Sequence, residues 1–153
     1  MILDEIDVKI LDILQRNGRT RRNDIASSVN LSLPSASERL RKLEESGYIT
    51  GYAATVDHKK LGKDITAFIF VIVDSSKHYH AFVEHASALD EILECHAVTG
   101  KGSHLIKVRT ENTTTLEKLL AKIQSWAGVT GTQTHLVLSS SKESTRIKVS
   151  HSK

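Results

Sequence analysis

Hydrophobic positions in the first fifty residues recur at the spacing of helices. Leu3, Ile6, Ile10, Ile13 and Leu14 fall along one side of a 3.6-residue repeat. Asp4 stands where its carboxylate caps the first turn, and Asn17-Gly18 ends the run, since glycine accepts the left-handed backbone that stops helices. The pattern predicts a first helix over residues 4–16 and a short second one over 22–29, with Ile25, Ala26 and Val29 inward. Asn30-Leu31-Ser32 then forms a turn, and Ser32 caps a third helix whose first turn accommodates Pro34. Ala36, Leu40 and Leu43 make the inner stripe of that helix, which ends at Ser46-Gly47. A supporting helix followed by two helices across a tight turn is a helix-turn-helix. Beyond it, Tyr48 to Val56 alternates enough to predict a strand pair, or a strand leading away, and hence a winged variant.

From Asp64 the period changes. Ile65 to Val73 is a nearly unbroken β-branched and aromatic run, as in a strand buried on both faces. His80 to Leu89 places Phe82, Val83, Ala86 and Leu89 at helical spacing. Glu91 to Thr99 and His104 to Thr110 read as strands around the Gly100-Lys101-Gly102-Ser103 turn. Thr113 caps a helix with Leu116, Leu119, Leu120, Ile123 and Trp126 inward, and Gly128 to Leu138 returns as a strand. The order β-α-β-β-α-β predicts a ferredoxin-like antiparallel sheet with both helices on one face. The fold class is therefore α+β. A winged helix-turn-helix spans 1–50 and a connecting strand or linker 51–63. The ferredoxin-like domain spans 64–141, and a tail of 142–153, with Ser139-Ser140-Ser141 before it, forms a mobile end or an edge extension. The first strand is apolar on both faces, and an isolated domain would leave one of them wet. The sheet should therefore pack against a second copy, as a homodimer.

Charge distribution adds a function. Net charge is only +3, but residues 15–43 carry Arg16, Arg19, Arg21, Arg22, Arg39, Arg41 and Lys42 against Asp24 and Glu38, a net of +5, and the remaining 124 residues sum to −2. A basic patch confined to a helix-turn-helix fits the phosphate backbone of duplex DNA. The outward side of the third helix carries Ser35, Glu38, Arg39 and Lys42 with Arg41 beside them. Arginine and lysine reach phosphates and guanine edges, and serine serves either. Arg21, Arg22, Ser32, Ser35, Ser37, Arg39, Arg41 and Lys42 are thus the candidate DNA-binding residues.

Other chemistry finds little support. A single cysteine excludes a disulfide framework within one chain and any multi-cysteine metal site. His78, His80 and His85 lack an acid or cysteine to complete a cage, so they read as surface histidines and no metal is expected. Cys95 and His96 are adjacent in a strand and point to opposite faces, which suits no catalytic pair. The glycines at 100 and 102 precede no helix and are no phosphate loop. No apolar run approaches the length of a membrane span, and the acidic start, Met1-Ile2-Leu3-Asp4-Glu5, is unlike a signal peptide, so a cytoplasmic protein is expected.

Several fragments carry a more specific likeness. These are Leu3-Asp4-x-x-Asp7-x-x-Ile10-Leu11, Gly18-Arg19, Ile25-Ala26, Leu31-Ser32, Glu38-Arg39-Leu40-x-x-Leu43-Glu44 and Gly47-x-Ile49-x-Gly51-Tyr52. They continue through Glu94-Cys95-His96-x-Val98-Thr99-Gly100 and Gly128-Val129. In order and spacing the chain resembles the Lrp/AsnC family of transcriptional regulators over nearly its whole length. The resemblance implies sequence-specific DNA binding, a homodimer with higher assemblies such as octamers, and no enzymatic activity or resident cofactor. It also implies an amino-acid effector where the turn at Gly100, Lys101, Gly102, Ser103 and His104 meets a neighbouring protomer, with Thr132 and Thr134 lining the pocket. Some proteins similar to this family decarboxylate sirohaem, and an amino-acid-binding module without DNA binding is a third class; the basic third helix weighs against the enzyme. Two positions depart from the family pattern. Arg21 replaces a common serine at the start of the second helix, leaving Thr20 as its expected cap. Ser103 replaces an acid in the turn. With Lys101 and His104 making that turn basic, a carboxylate contacting backbone N–H groups of Gly100 to Ser103 is expected, with weak amino-acid binding or a ligand unlike leucine.

Overall fold

The computed structural model describes residues 2–150. The chain forms two compact units, one joining the amino-terminal residues through Thr55 to the tail from Lys142, the other running Val56–Ser141. No helix of the described residues is long and apolar enough to cross a membrane.

The first unit holds α1 (Glu5–Arg16), α2 (Arg22–Ser28) and α3 (Leu33–Glu45). Asp4 and Asp7 cap α1 reciprocally: the Asp7 N–H donates to the Asp4 carboxylate at 2.9 Å and the Asp4 N–H to Asp7 at 3.2 Å. Ile10, Leu11 and Leu14 of α1 bury against Ile25, Val29, Leu40 and Leu43, with Ile6, Leu31 and Ile49 at the margin. Each such side chain contributes about 1.5–3 kcal/mol when fully buried. Asn30 takes the left-handed conformation (φ 55°) in the turn, and the Leu31 N–H returns to the Ala26 carbonyl at 3.0 Å. Ser32 caps α3 by accepting from the Ser35 N–H, as the sequence predicts.

Three local expectations change. Thr20 does not cap α2: Arg21 holds that position without a side-chain bond, while the Thr20 hydroxyl donates to the Asn17 carbonyl at 2.6 Å, an acceptor freed by the end of α1. Residues 48–56 form no strand. Their polar groups are drawn to α3 instead, the Ile49 N–H to the Leu43 carbonyl at 3.0 Å and the Tyr52 hydroxyl to Glu44 at 2.9 Å, so no ladder partner is available for a wing. Burial, reinforced by Glu44, pushes the Tyr52 phenol up to about 12. The tail, expected to be mobile or an edge extension, joins the helical unit. The Gln15 carboxamide donates to the Ile147 carbonyl at 2.9 Å and accepts the Ile147 N–H at 2.6 Å, and Val149 packs on the helical core. Arg146, ahead of Arg16, hydrogen-bonds Asp12 and holds its carboxyl below the usual range.

The second unit is β1 (Ile65–Val73), a 3₁₀ turn (Ser76–His78), α4 (Tyr79–Ser87), β2 (Ile92–Ala97), β3 (His104–Thr110), α5 (Thr113–Gln124) and β4 (Val129–Leu136). All pairings are antiparallel and the strand order is β2-β3-β1-β4, the predicted ferredoxin-like arrangement. Asn112 rather than Thr113 caps α5, accepting from the Thr115 N–H at 3.0 Å while the Thr115 hydroxyl accepts from the Asn112 N–H. Thr113 is already inside the first turn, one residue past the cap.

Alternation along β1 assigns its faces. Ala67, Ile69, Val71 and Val73 bury with Ile106 and Val108 of β3 against Phe82 of α4 and Leu116, Leu119 and Ile123 of α5. Phe68, Phe70 and Ile72 point the other way, the two rings half-buried and Ile72 43% exposed. Lys107 lies over the Phe68 ring, 5.9 Å from its centre, and His135 meets Phe70 edge-on at 5.8 Å. Even with these neighbours the second face has no layer over it within this unit.

His104, only 2% exposed, closes the helix side of the sheet, its ring centre 4.7 Å from that of Phe82 and 4.8 Å from that of Tyr79. Burial pushes its pKa below the ordinary value.

Two outcomes follow from this packing. Ending the chain at Ser141 should lower the stability of the helical unit by about 1–3 kcal/mol in urea unfolding, because it removes Val149 from the core and the Gln15 contacts. Asp12→Ala in the full chain should cost much less, since its ion pairs with Arg146 and Arg16 are open to solvent and screened by it. An unchanged midpoint on truncation would show that the tail contributes nothing. For His104, the folded state disfavours the proton that the unfolded chain binds near its ordinary pKa of about 6.5. Its contribution is therefore present above that pH and lost as pH falls through it. The melting temperature should drop between about pH 7.5 and about pH 5, with a visibly flatter dependence in His104→Gln.

Candidate functional site

In the helical unit, Ser35, Glu38, Arg39 and Lys42 line one groove with Asp7 of α1 and Leu31 of the turn. Their spacing of one helical turn puts them on the same side of α3, as the sequence predicts. Ser32 and Ser35 are exposed at the head of the helix, their hydroxyls 2.9 Å apart, and Ser37 is half-buried. Lys42 is 58% exposed and only loosely associated with Glu38, at 3.8 Å. Arg21 and Arg22 are exposed at the start of α2 and form no ion pair with a carboxylate among the described residues.

The other two arginines are engaged. The Arg39 Nη1 lies 2.7 Å from Asp4 Oδ2 and 2.8 Å from Asp7 Oδ1, with its side chain 31% exposed and that of Asp7 only 4%. Arg39, a DNA-binding candidate on the outward side of α3, is thus already held by acids of α1: a buried carboxylate left unpaired is costly, and Arg39 is the cation within reach. The hydrogen bonds that Arg39 donates to Asp4 and then to Asp7 raise its pKa, while the Asp7 N–H is the main cause of the lowered Asp4 value. Arg41 is held between Glu38 and Glu45 on its own helix, which raises its pKa and lowers that of Glu38. Asp7 was absent from the candidate residues. Its signal was an acid set among the apolar positions Ile6 and Ile10, three residues after a capping acid.

The turn after β2 is built by backbone requirements. Gly100 has φ +113°, open to glycine, and a Cβ on Gly102 would stand 3.2 Å from the Val71 carbonyl oxygen. The Ser103 N–H donates to that same carbonyl at 3.0 Å, and its hydroxyl accepts from the Val73 N–H at 3.1 Å and lies 2.9 Å from His104 Nδ1. The Ser103 hydroxyl is therefore engaged with β1 and His104, and its N–H, expected among those meeting a carboxylate, is taken by Val71. Nor does His104 make the turn basic, since it is buried and its pKa is lowered; Lys101, which is exposed, supplies the charge.

Strand register brings part of the expected pocket together. Val71 pairs with His104 on one side and Thr132 on the other, so the turn and Thr132 flank the same residue of β1. Gln124 of α5 donates to the Thr132 hydroxyl at 2.9 Å, and Thr134, opposite Ile69, is exposed further along the strand. A cleft walled by Leu89, Glu91, Thr110, Lys118 and Lys122 lies at the far end of β3, about 20 Å from the turn at the usual rise per residue. Elsewhere, His78 approaches Asp74 at 3.9 Å, His80 approaches Glu84 at 3.3 Å, and His85 stacks on Trp126. Cys95 faces the helix side opposite Ile106, and burial raises its pKa.

Both units match models of known families. Residues 3–50 match a winged helix-turn-helix DNA-binding family, and residues 66–147 match the Lrp/AsnC ligand-binding domain. Among curated relatives, the uncharacterized HTH-type transcriptional regulator YezC of Bacillus subtilis is 46% identical over 118 residues, 77% of this chain and 83% of its own. The HTH-type transcriptional regulator FL11 of Pyrococcus horikoshii is 38% identical over 96% of this chain and 97% of its own. A transcriptional regulator of Neisseria meningitidis, solved as a complex with L-methionine, superposes with a TM-score of 0.90 at 29% identity, covering 95% of this chain and 96% of that one. With a helix-turn-helix and a βαββαβ ligand-binding domain matched in order along the chain, this protein belongs to the Lrp/AsnC family of DNA-binding transcriptional regulators.

Proposed function

We propose that the chain is a sequence-specific regulator that lays α3 in the major groove of duplex DNA, with Arg21, Arg22 and Lys42 on phosphates and Ser32, Ser35 and Ser37 near base edges or backbone. The observation that carries this is the set of exposed basic side chains around the head of the helix-turn-helix, of which Arg21 and Arg22 have no ion pair with a carboxylate among the described residues. Phosphate neutralisation supplies affinity and register, and groove contacts supply sequence. Arg41 contributes to the field of the helix rather than to a contact, being held by Glu38 and Glu45. The protein acts in the cytoplasm as a regulator, without catalytic activity and without a resident cofactor or metal.

The second unit completes the proposal. Its uncovered face, with Phe68, Phe70 and Ile72, suits a homodimer packed sheet on sheet, and larger assemblies such as octamers would bring the 100–104 turn against a neighbouring protomer. An amino acid would bind there, its carboxylate on backbone N–H groups of the turn and near Lys101, with Thr132 and Thr134 on the strand beside it. Binding between protomers gives an effector differential affinity for assembly states, which regulation requires. The L-methionine held by the Neisseria meningitidis relative makes methionine the first ligand to try.

Selection of duplexes from a randomised pool tests the DNA reading directly: the wild type should enrich a defined sequence. Lys42→Ala and Arg22→Ala should each reduce the slope of log affinity against log salt by about one phosphate contact, across selected and random duplexes alike. Failure of the wild type to enrich any sequence would sink the proposal. For assembly, Phe70→Asp should yield folded monomers by light scattering, whereas Ile69→Asp, on the helix side, should abolish cooperative unfolding. A wild-type monomer at micromolar concentration would contradict the sheet-on-sheet dimer. For the effector, methionine and the other amino acids should be ranked by the rise they cause in melting temperature, since a ligand of the folded state alone stabilises it.

A further inference from the structure

DNA binding alone does not account for the acids at the head of the helix-turn-helix. Asp7 lines the same groove as Ser35, Arg39 and Lys42, where a negative charge opposes phosphate. It is nevertheless buried, and both of its oxygens are used: Oδ1 by Arg39 Nη1 at 2.8 Å, Oδ2 by the Asp4 N–H at 3.2 Å. The same Nη1 reaches Asp4 Oδ2 at 2.7 Å. Because Asp4 and Asp7 are locked together as the cap of α1, this one guanidinium fastens the first turn of α1 to the middle of α3.

The apolar contacts between the helices cannot do the same work. Ala36, Leu40 and Leu43 hold α3 against the core by burial, a non-directional attraction, and Ala36 presents only a methyl group, so the stripe fixes the rotation of α3 less sharply than a directional bond does. A charge-assisted hydrogen bond is directional, and rotation would draw Nη1 away from both acids at once. Rotation of α3 is also what decides which of its side chains point into a groove.

Resting on the reading that α3 enters DNA, we propose that the Asp7–Arg39–Asp4 clamp sets the rotation of the recognition helix and thereby its sequence specificity, Arg39 staying on α1 as a positioning residue instead of contacting a base. The clamp reverses the sign that charge alone predicts. Removing a carboxylate beside DNA should tighten all binding; loss of the clamp instead weakens the selected sequence and leaves random duplex bound as well as before, or better.

The test uses the full chain, the duplex that the wild type enriches from a randomised pool, and a random duplex of equal length. In Asp7→Asn and in Arg39→Gln the ratio of selected to random affinity should fall on the order of tenfold, and the double variant should fall no further than the worse single one. Arg39→Lys should recover part of the ratio, and the salt slope should match wild type throughout. Urea unfolding of each variant separates lost specificity from lost fold. Should Asp7→Asn not fold, Asp4→Asn decides, because asparagine caps a helix as well as aspartate while removing one of the charges on Arg39; its ratio should fall by a smaller factor. A wild-type ratio in Asp7→Asn, or in Asp4→Asn where that variant decides, overturns the clamp. So does an Arg39→Gln variant that loses preference at one base position with a reduced salt slope, which would mean that Arg39 touches DNA. If the wild type enriches no sequence, the DNA reading falls and the clamp with it, an outcome visible before any variant is made.

Discussion

β1 is the strand on which the ligand-binding unit is organised, because it is central, apolar on both faces, and covered within that unit on only one. Its odd-numbered residues lie under α4 and α5 and form the core with β3. Its even-numbered residues, Phe68, Phe70 and Ile72, have no layer above them. An antiparallel sheet with one wet face normally carries polar side chains there. Here Lys107 and His135 lean over the rings without hiding them, which leaves the surface amphipathic and suited to burial against a like surface.

The helical unit meets a similar shortage differently. Three short helices supply a small core, and small domains bury a low fraction of their surface. Covering is recruited from chain outside the helices: Ile49 from the segment after α3, and Val149 from the far end of the sequence. Its charges are organised likewise. The carboxylates of Asp4, Asp7, Glu38 and Glu45 absorb Arg39 and Arg41, so a segment that is strongly basic in sequence has fewer free cations in space.

This division marks what the sequence made legible. Helix and strand periods fixed all the main elements, and β3 was placed at its observed ends, because burial on one side of an element leaves a repeat that can be counted. The strand expected over 48–56 is not formed because alternation there reports extended backbone without naming a partner, and here Ile49 and Tyr52 bond to α3. The tail failed because its anchors, Asp12 and Gln15, lie more than a hundred residues away and look like ordinary surface positions on α1. Arg39 was rightly placed on the groove side, yet its partner depended on which acid of α1 was buried. Nothing beside Ser103 in the chain points to its bonds with Val71 and Val73, which exist only once β1 lies beside the turn.

Those bonds connect sensing to assembly under the proposed function. Gly102 lies where an added Cβ would crowd the Val71 carbonyl oxygen and the Phe70 Cβ, and Ser103 grips the backbone at Val71 and Val73, so the turn is fastened to the end of the strand that bears the uncovered rings. A ligand engaging the turn's N–H groups would act on a loop that cannot shift without disturbing that strand. Packed interfaces respond to such small displacements by exchanging between discrete arrangements, because close-packed side chains do not deform continuously. Ser103 matters in this light for its geometry: a short neutral hydroxyl accepts the Val73 N–H, where a carboxylate would bring a charge beside the Val71 carbonyl and the buried His104. The turn thereby holds β1 by neutral bonds alone, and its exposed charge lies at Lys101.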